Sequence, residues 1–150
     1  IKRVNQRTPN KNALPARLVL DSYALLGYLE NEAFAGRIEK YLRQARKADA
    51  SLYLHAIHLG EVYYITLREQ GQSQADLAYA RIKAFPLTFI DKIDEELLLK
   101  AASLKASYSI SYADSFAAAL AKIHNCALLT GDSEFNILEK EKIISIKWLT

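Results

Sequence analysis

Cysteine occurs once in the 150 residues, at position 126 inside an apolar run. One thiol excludes an internal disulfide framework and a multi-cysteine metal site, and it fits a reducing compartment. Histidine is almost as scarce, and His55, His58 and His124 lack the spacing of metal ligands, which argues against structural zinc. With 5 Gly and 3 Pro the chain is too poor in both to be linker-rich or disordered. No G-x-x-x-x-G-K-[ST] run is present, which argues against a P-loop NTPase, and Gly27, Gly36 and Gly60 form no dinucleotide fingerprint. A serine-hydrolase elbow is also missing. No apolar run approaches the roughly 18 residues of a membrane span, and the N-terminal stretch lacks the hydrophobic centre of a signal peptide. No membrane partner is expected, and cytoplasm is the expected location.

What is present is an ordinary globular composition. Hydrophobic residues make up 51% and charged residues 25%, enough for one domain whose folding hides roughly 70% of the unfolded surface. The net charge of +3 is too small to mark a nucleic-acid binder, but its distribution is uneven: Lys2, Arg3, Arg7, Lys11 and Arg17 precede any acid. Residues 1–16 therefore read as a basic, disordered leader, either a solvated tail or an RNA-binding arm, with the folded domain over 17–150.

No internal repeat interrupts the pattern of elements. "RLVLDS" predicts a buried strand over Leu18 to Leu20, with "YALLGYLE" turning helical behind it. Helices are predicted from Phe34 to Ala48, Ile57 to Gln70 with Gly71 as its stop, Gln74 to Ala84, Asp94 to Ser107, and from Tyr112 onward. "SLYLHA", "PLTFI", "CALLT" and "IISIKWL" read as further strands. Strands alternating with helices imply a parallel sheet covered on both faces, so the expected class is α/β, a three-layer α/β/α arrangement.

In such sheets ligands bind beyond the carboxyl ends of the strands, where helix N-termini also point. Asp21 follows "LVL" directly, and Asp132 follows "ALLT" after one glycine. Either acid alone is explained by capping a helix or turn. Glu61 is odder, because "HLGEVYYITL" sets it in an almost wholly apolar helix, where it needs a cation, a hydrogen-bond partner or a raised pKa, unless it is simply exposed. Asp114 lies in "SYADSFAAALA", where Ser111 and Asp114 also form a capping box. Glu134 shares the Asp132 edge or is a solvated loop acid. Carboxylates gathered at one edge repel one another unless a counter-charge is present, and a hard divalent cation, Mg²⁺ or Mn²⁺, supplies it with oxygen ligands.

Taken in order, "LVLDSYALLGYLE", "HLGEVYY" and "SYADSFAAALAKIHNCALLTGDSEF" resemble the PIN-domain nucleases, and most of all the VapC-type toxins of bacterial toxin–antitoxin pairs. The resemblance runs from about Leu18 to the C-terminus. It implies that Asp21, Glu61, Asp114 and Asp132 form an acidic quartet holding Mg²⁺ or Mn²⁺, with Ser22 and Thr130 as the small hydroxyl residues beside the first and last acids. It further implies endonucleolytic cleavage of single-stranded or structured RNA by a metal-activated water, a cognate antitoxin that blocks the site, and a homodimer. Similar sequences place the first acid nearer the N-terminus and carry Asn where this chain has His58. Two other readings keep the fold: a PIN nuclease of RNA maturation or decay without an antitoxin, and a non-catalytic RNA- or protein-binding module. A receiver-like phosphoacceptor domain lacks support, because its paired N-terminal acids and strand-end Lys are not here. Tyr63 and Tyr64, with Leu59, are one candidate partner surface or else part of the core, and Arg37, Arg43, Arg46, Lys47, Arg68, Arg81 and Lys83 are either cations available to a phosphate backbone or solvated helix faces.

Overall fold

The computed structural model describes residues 16–150. The leader expected over 1–16 thus lies outside the described residues, except for Ala16, which begins the first strand. In chain order the elements are β1 (Ala16–Leu20), α1 (Ser22–Leu29), α2 (Ala35–Arg46), β2 (Ala50–His55), α3 (Ala56–Gln70), α4 (Gln72–Lys83) and β3 (Thr88–Ile90). There follow α5 (Glu95–Ser107), α6 (Tyr112–Ile123), β4 (Ala127–Thr130), a 3₁₀ turn (Ser133–Phe135), α7 (Asn136–Lys140) and β5 (Ile146–Trp148).

The five strands form one sheet in the order β3-β2-β1-β4-β5. Every pairing is parallel, with Leu18 opposite Leu52, Leu20 opposite Leu129, His55 opposite Ile90 and Thr130 opposite Trp148. All five carboxyl ends therefore share one edge. Because side chains alternate along a strand, Leu18 and Leu20 face one layer and Val19 the other. The first layer is packed by Leu25, Ile38, Leu42, Val62 and Ile82 from α1 to α4, and the second by Leu97, Ala101, Phe116 and Leu120 from α5 and α6. This is the three-layer α/β/α architecture expected from the alternation.

Two glycines show how tightly the first layer is fitted. A Cβ on Gly27 would lie 2.0 Å from Cζ of the buried Phe34 ring, so α1 approaches the start of α2 only because position 27 is bare. Gly71 ends α3 at φ +90°, a conformation other residues rarely adopt, and lets α4 start immediately.

The chain leaves β1 toward β2 and β3, then returns through α5 and α6 to place β4 on β1's other side. The strand order thus reverses between β1 and β4, and loops diverge there to open a crevice. Asp21 and Asp132 are the acids that follow those two strands.

Candidate active site

Asp21 caps α1: its Oδ1 accepts the Ala24 N–H at 3.0 Å. Its Oδ2 accepts the hydroxyl of Thr130, the last residue of β4, at 2.5 Å. Thr130 Oγ1 in turn accepts the Asp132 N–H at 3.0 Å, so one buried hydroxyl joins the exits of β1 and β4. Gly131 between them is needed because a Cβ there would stand 2.4 Å from the Tyr23 ring. Asp132 then caps the 3₁₀ turn, its Oδ1 accepting the Glu134 N–H at 2.9 Å. That short turn is what brings Glu134 back over the strand ends.

Asp114 occupies the first turn of α6, where its N–H donates to the Ser111 hydroxyl at 3.0 Å. Asp21 and Asp132 thus act as caps, and Asp114 sits in the turn that Ser111 caps, so capping and the gathering of acids coexist at this edge. One carboxylate oxygen from each of Asp114, Asp132 and Glu134 lies within 4.8 Å of the others. Glu134, which the sequence leaves between a loop acid and a site acid, belongs to this tight trio. Glu61, one turn into α3, is half-buried, and its Oε1 is buried without a hydrogen-bond partner among the described residues.

The electrostatics tie Asp21 and Glu61 to the trio. Burial pushes the Asp21 carboxyl up to about 7, against the opposing hydrogen bonds from Thr130 and Ala24 and with a further push from Asp132 and Glu61. Asp114 is raised by burial, then by its hydrogen bond with Glu134, then by the charges of Asp132 and Asp21. Glu61 is raised by burial and by Asp132, with the Ser22 hydroxyl offsetting part of the effect. Asp132 thus lies within electrostatic reach of Asp21, Glu61 and Asp114. The groups hold protons more tightly than free carboxylates do chiefly because burial disfavours their ionised form, and the negative charge converging on one edge adds to it. Such a donor set, hard oxygens with one buried acceptor unused, fits a hard divalent cation.

His58 is a structural element that residue patterns flag only as an unusual residue near Glu61. It is fully buried in α3, and its Nε2 meets the carbonyl of Ala113, the residue before Asp114, at 2.9 Å. Its Nδ1 is buried without a partner among the described residues, and burial pulls its pKa down to about 4. A neutral His58 donating through Nε2 therefore pins the first turn of α6 to α3, one turn from Glu61.

Around the acids, Arg37 donates to the carbonyl of Trp148 at 2.8 Å and so stands at the carboxyl end of β5. Three other cations of the expected set are engaged elsewhere: Arg43 pairs with Glu39, Arg68 lies over Tyr64, and Lys83 over Phe89. The expected partner surface is changed by the fold. Leu59 is core, and Tyr63 is partly buried and donates to Asp76. Tyr64, Leu67, Leu77 and Tyr79 are the exposed apolar residues of α3 and α4. No helix among the described residues is long and apolar enough to cross a membrane.

The model of the PIN domain family matches residues 18–141, a span that contains all five acids. No curated protein matches the sequence. Among solved structures, the chain is similar to VapBC2 from Rickettsia felis bound to a DNA fragment from its promoter, at 14% identity and a TM-score of 0.67, covering 87% of this chain and 97% of that one. DNA-bound VapBC from Salmonella typhimurium matches at 15% identity and a TM-score of 0.66, over 90% and 99% of the two chains. VapC20 of Mycobacterium tuberculosis, a toxin that cleaves the sarcin–ricin loop, matches at 15% identity and a TM-score of 0.62, over 80% and 93%.

Proposed function

The chain belongs to the PIN-domain family, and from that premise we propose that it is a Mg²⁺- or Mn²⁺-dependent endoribonuclease that hydrolyses single-stranded RNA as the toxin of a toxin–antitoxin pair. The observation that carries the nuclease reading is the close approach of the Asp114, Asp132 and Glu134 oxygens beside buried Asp21 and half-buried Glu61, both of raised pKa. Such a cluster is costly to keep ionised without a counter-ion and is well suited to hold one.

When bound, the cation supplies Lewis acidity, making water acidic enough to attack phosphorus near neutral pH and offsetting the charge that builds on the phosphate. Asp114 and Asp132, on α6 and behind β4, offer oxygens from two sides, with Glu134 beside them. Asp21 offers the second lone pairs of oxygens whose first are fixed by Ala24 and Thr130, so its carboxylate is held in one orientation before any ligand arrives. Glu61 has a free Oε1 and an acidity weakened by burial, which suits it to take a proton from attacking water. Arg37, at the end of β5, is placed to meet a backbone phosphate along the same edge.

The toxin assignment draws on the likeness to VapBC complexes together with the surface of α3 and α4, where Tyr64, Leu67, Leu77 and Tyr79 suit a protein partner: an antitoxin or a second copy in a homodimer. The RNA target, the antitoxin and a cytoplasmic setting belong to this reading. Induced expression should arrest growth, and co-expression of a small neighbouring gene product should rescue it. Unaffected growth with intact RNA cleavage would favour a PIN nuclease of RNA maturation, and light scattering that shows only monomer would remove the dimer.

A further inference from the structure

We propose that Tyr112 is a stacking platform for an RNA base next to the phosphodiester held by the acids. The inference rests on the ribonuclease reading and specifies how that site engages its substrate. Tyr28, Tyr53, Tyr63 and Tyr108 each use their hydroxyl in a side-chain hydrogen bond, with Glu39, Arg17, Asp76 and Glu141. Tyr112 is anchored through its ring face instead. It stacks on Phe116, one helical turn on, with centroids 5.0 Å apart and planes 25° apart, yet the residue remains 46% exposed. One face of the ring is thus covered and a large part of the residue stays in solvent.

The backing of this stack is rigid. Phe116 is buried, and its ring lies 6.3 Å from that of His55, the fully buried last residue of β2. Both nitrogens of His55 are engaged: Nδ1 accepts the Ile57 N–H at 3.1 Å, and Nε2 donates to the Lys92 carbonyl at 2.9 Å. His55, Phe116 and Tyr112 therefore form a graded series from core to solvent whose outermost ring is held in place before any ligand arrives. An exposed aromatic held this way loses little freedom on binding a flat partner.

Its position supplies the chemistry. Tyr112 precedes Asp114 by two residues in the same turn of α6, so their Cα atoms are at most about 7 Å apart. Residues two apart leave a helix on roughly opposite sides, so the ring and the carboxylate flank the start of α6. A strand whose phosphate sits against Asp114 crosses that helix end before an adjacent base reaches the ring. Lys92, on the loop that His55 fixes, adds an exposed cation to the same rim. Aromatic platforms beside a charged groove bind single strands with little sequence preference, since every base has a π-face. Tyr112 then acts on substrate binding, while the acids act on the bond.

The test compares wild type, Tyr112→Ala and Tyr112→Phe on a short oligouridylate and on an abasic ribose-phosphate oligomer of equal length. KM for uridylate cleavage is measured in Mg²⁺, and affinity for both oligomers by fluorescence anisotropy in Ca²⁺. Tyr112→Ala should raise KM and Kd for uridylate on the order of tenfold to a hundredfold. Its kcat, melting temperature and affinity for the abasic oligomer should stay near wild type, and Tyr112→Phe should behave as wild type. A Tyr112→Ala variant with wild-type uridylate KM, or a Tyr112→Phe variant as impaired as Tyr112→Ala, overturns the platform. So does a loss confined to self-association or to antitoxin binding, which would make the ring an interface residue. Absence of both cleavage and RNA binding in the wild type overturns the ribonuclease reading itself, whereas normal wild-type cleavage with an indifferent Tyr112→Ala removes the platform alone.

Discussion

Replacing Asp21 with Asn should stabilise the metal-free protein, and the size of the gain follows from the site. In the fold the Asp21 carboxyl titrates at about 7 instead of its ordinary 3.8. A carboxyl with a raised folded pKa imposes no penalty below its unfolded value. The penalty grows as pH rises through the window from 3.8 to about 7, and it is complete above. Three pKa units correspond to an upper bound of about 4 kcal/mol at pH 8. Asn keeps the Oδ1 acceptor for the Ala24 N–H, but its NH₂ faces Thr130 and leaves that hydroxyl hydrogen without its acceptor, returning about 1–2 kcal/mol. The net gain is about 2 kcal/mol, which in a domain of this size raises the melting temperature by about 4–8 °C. Thermal unfolding of both proteins in EDTA at pH 8 and pH 4 measures it: a gain at pH 8 that gives way at pH 4 to a loss of about 1–2 kcal/mol, the cost of the Thr130 contact alone. Added Mg²⁺ should stabilise the wild type more than the variant. A gain independent of pH, or a clear loss at pH 8, would refute the claim that an ionised carboxylate, buried and close to other acids, strains this edge.

Three further outcomes follow from other contacts. Because buried His58 is pulled down to about 4 from 6.5, its neutral state favours folding above pH 6.5, and that contribution drains away as pH falls toward 4. Denaturant titrations should show the wild type losing about 2 kcal/mol relative to His58→Asn between pH 7 and pH 5, because the opposite response of the raised acids is common to both proteins and cancels in the difference. Gly27→Ala should cost roughly 1–3 kcal/mol by driving a Cβ into the Phe34 ring, with partial recovery when Phe34 is shortened to Leu, read by chemical denaturation. Thr130→Val removes the hydroxyl shared by Asp21 and Asp132, so the Asp21 carboxyl should rise further, and the acid limb of the cleavage–pH profile should move to higher pH.

The layers of the fold were legible because each buried strand and amphipathic helix carries its own period. The Leu18 to Leu20 run is β1's core half, and the Ile57 to Gln70 helix matches α3 to within one residue. Ends were less legible. "PLTFI" contributes only Thr88–Ile90, since Pro86 has no N–H to offer a ladder, and "IISIKWL" contributes only Ile146–Trp148. The 3₁₀ turn and α7 carry too few residues for periodicity to register, and they decide where Glu134 points. The acids at strand exits could be read from the parallel sheet alone. The trio of Asp114, Asp132 and Glu134 could not, because it depends on the reversal of strand order at β1 and β4 and on the Thr130 hydroxyl between them.

The central claim is that these acids act together by holding a cation that cleaves RNA, and cleavage of a single-stranded RNA by protein freed of contaminating nucleases tests it most directly. The account predicts cleavage in Mg²⁺ or Mn²⁺, none in excess EDTA, and at least a tenfold loss in Asp114→Asn, about 1.4 kcal/mol of barrier, with folding intact. Undiminished cleavage in EDTA, or an Asp114→Asn variant as fast as the wild type, would contradict it.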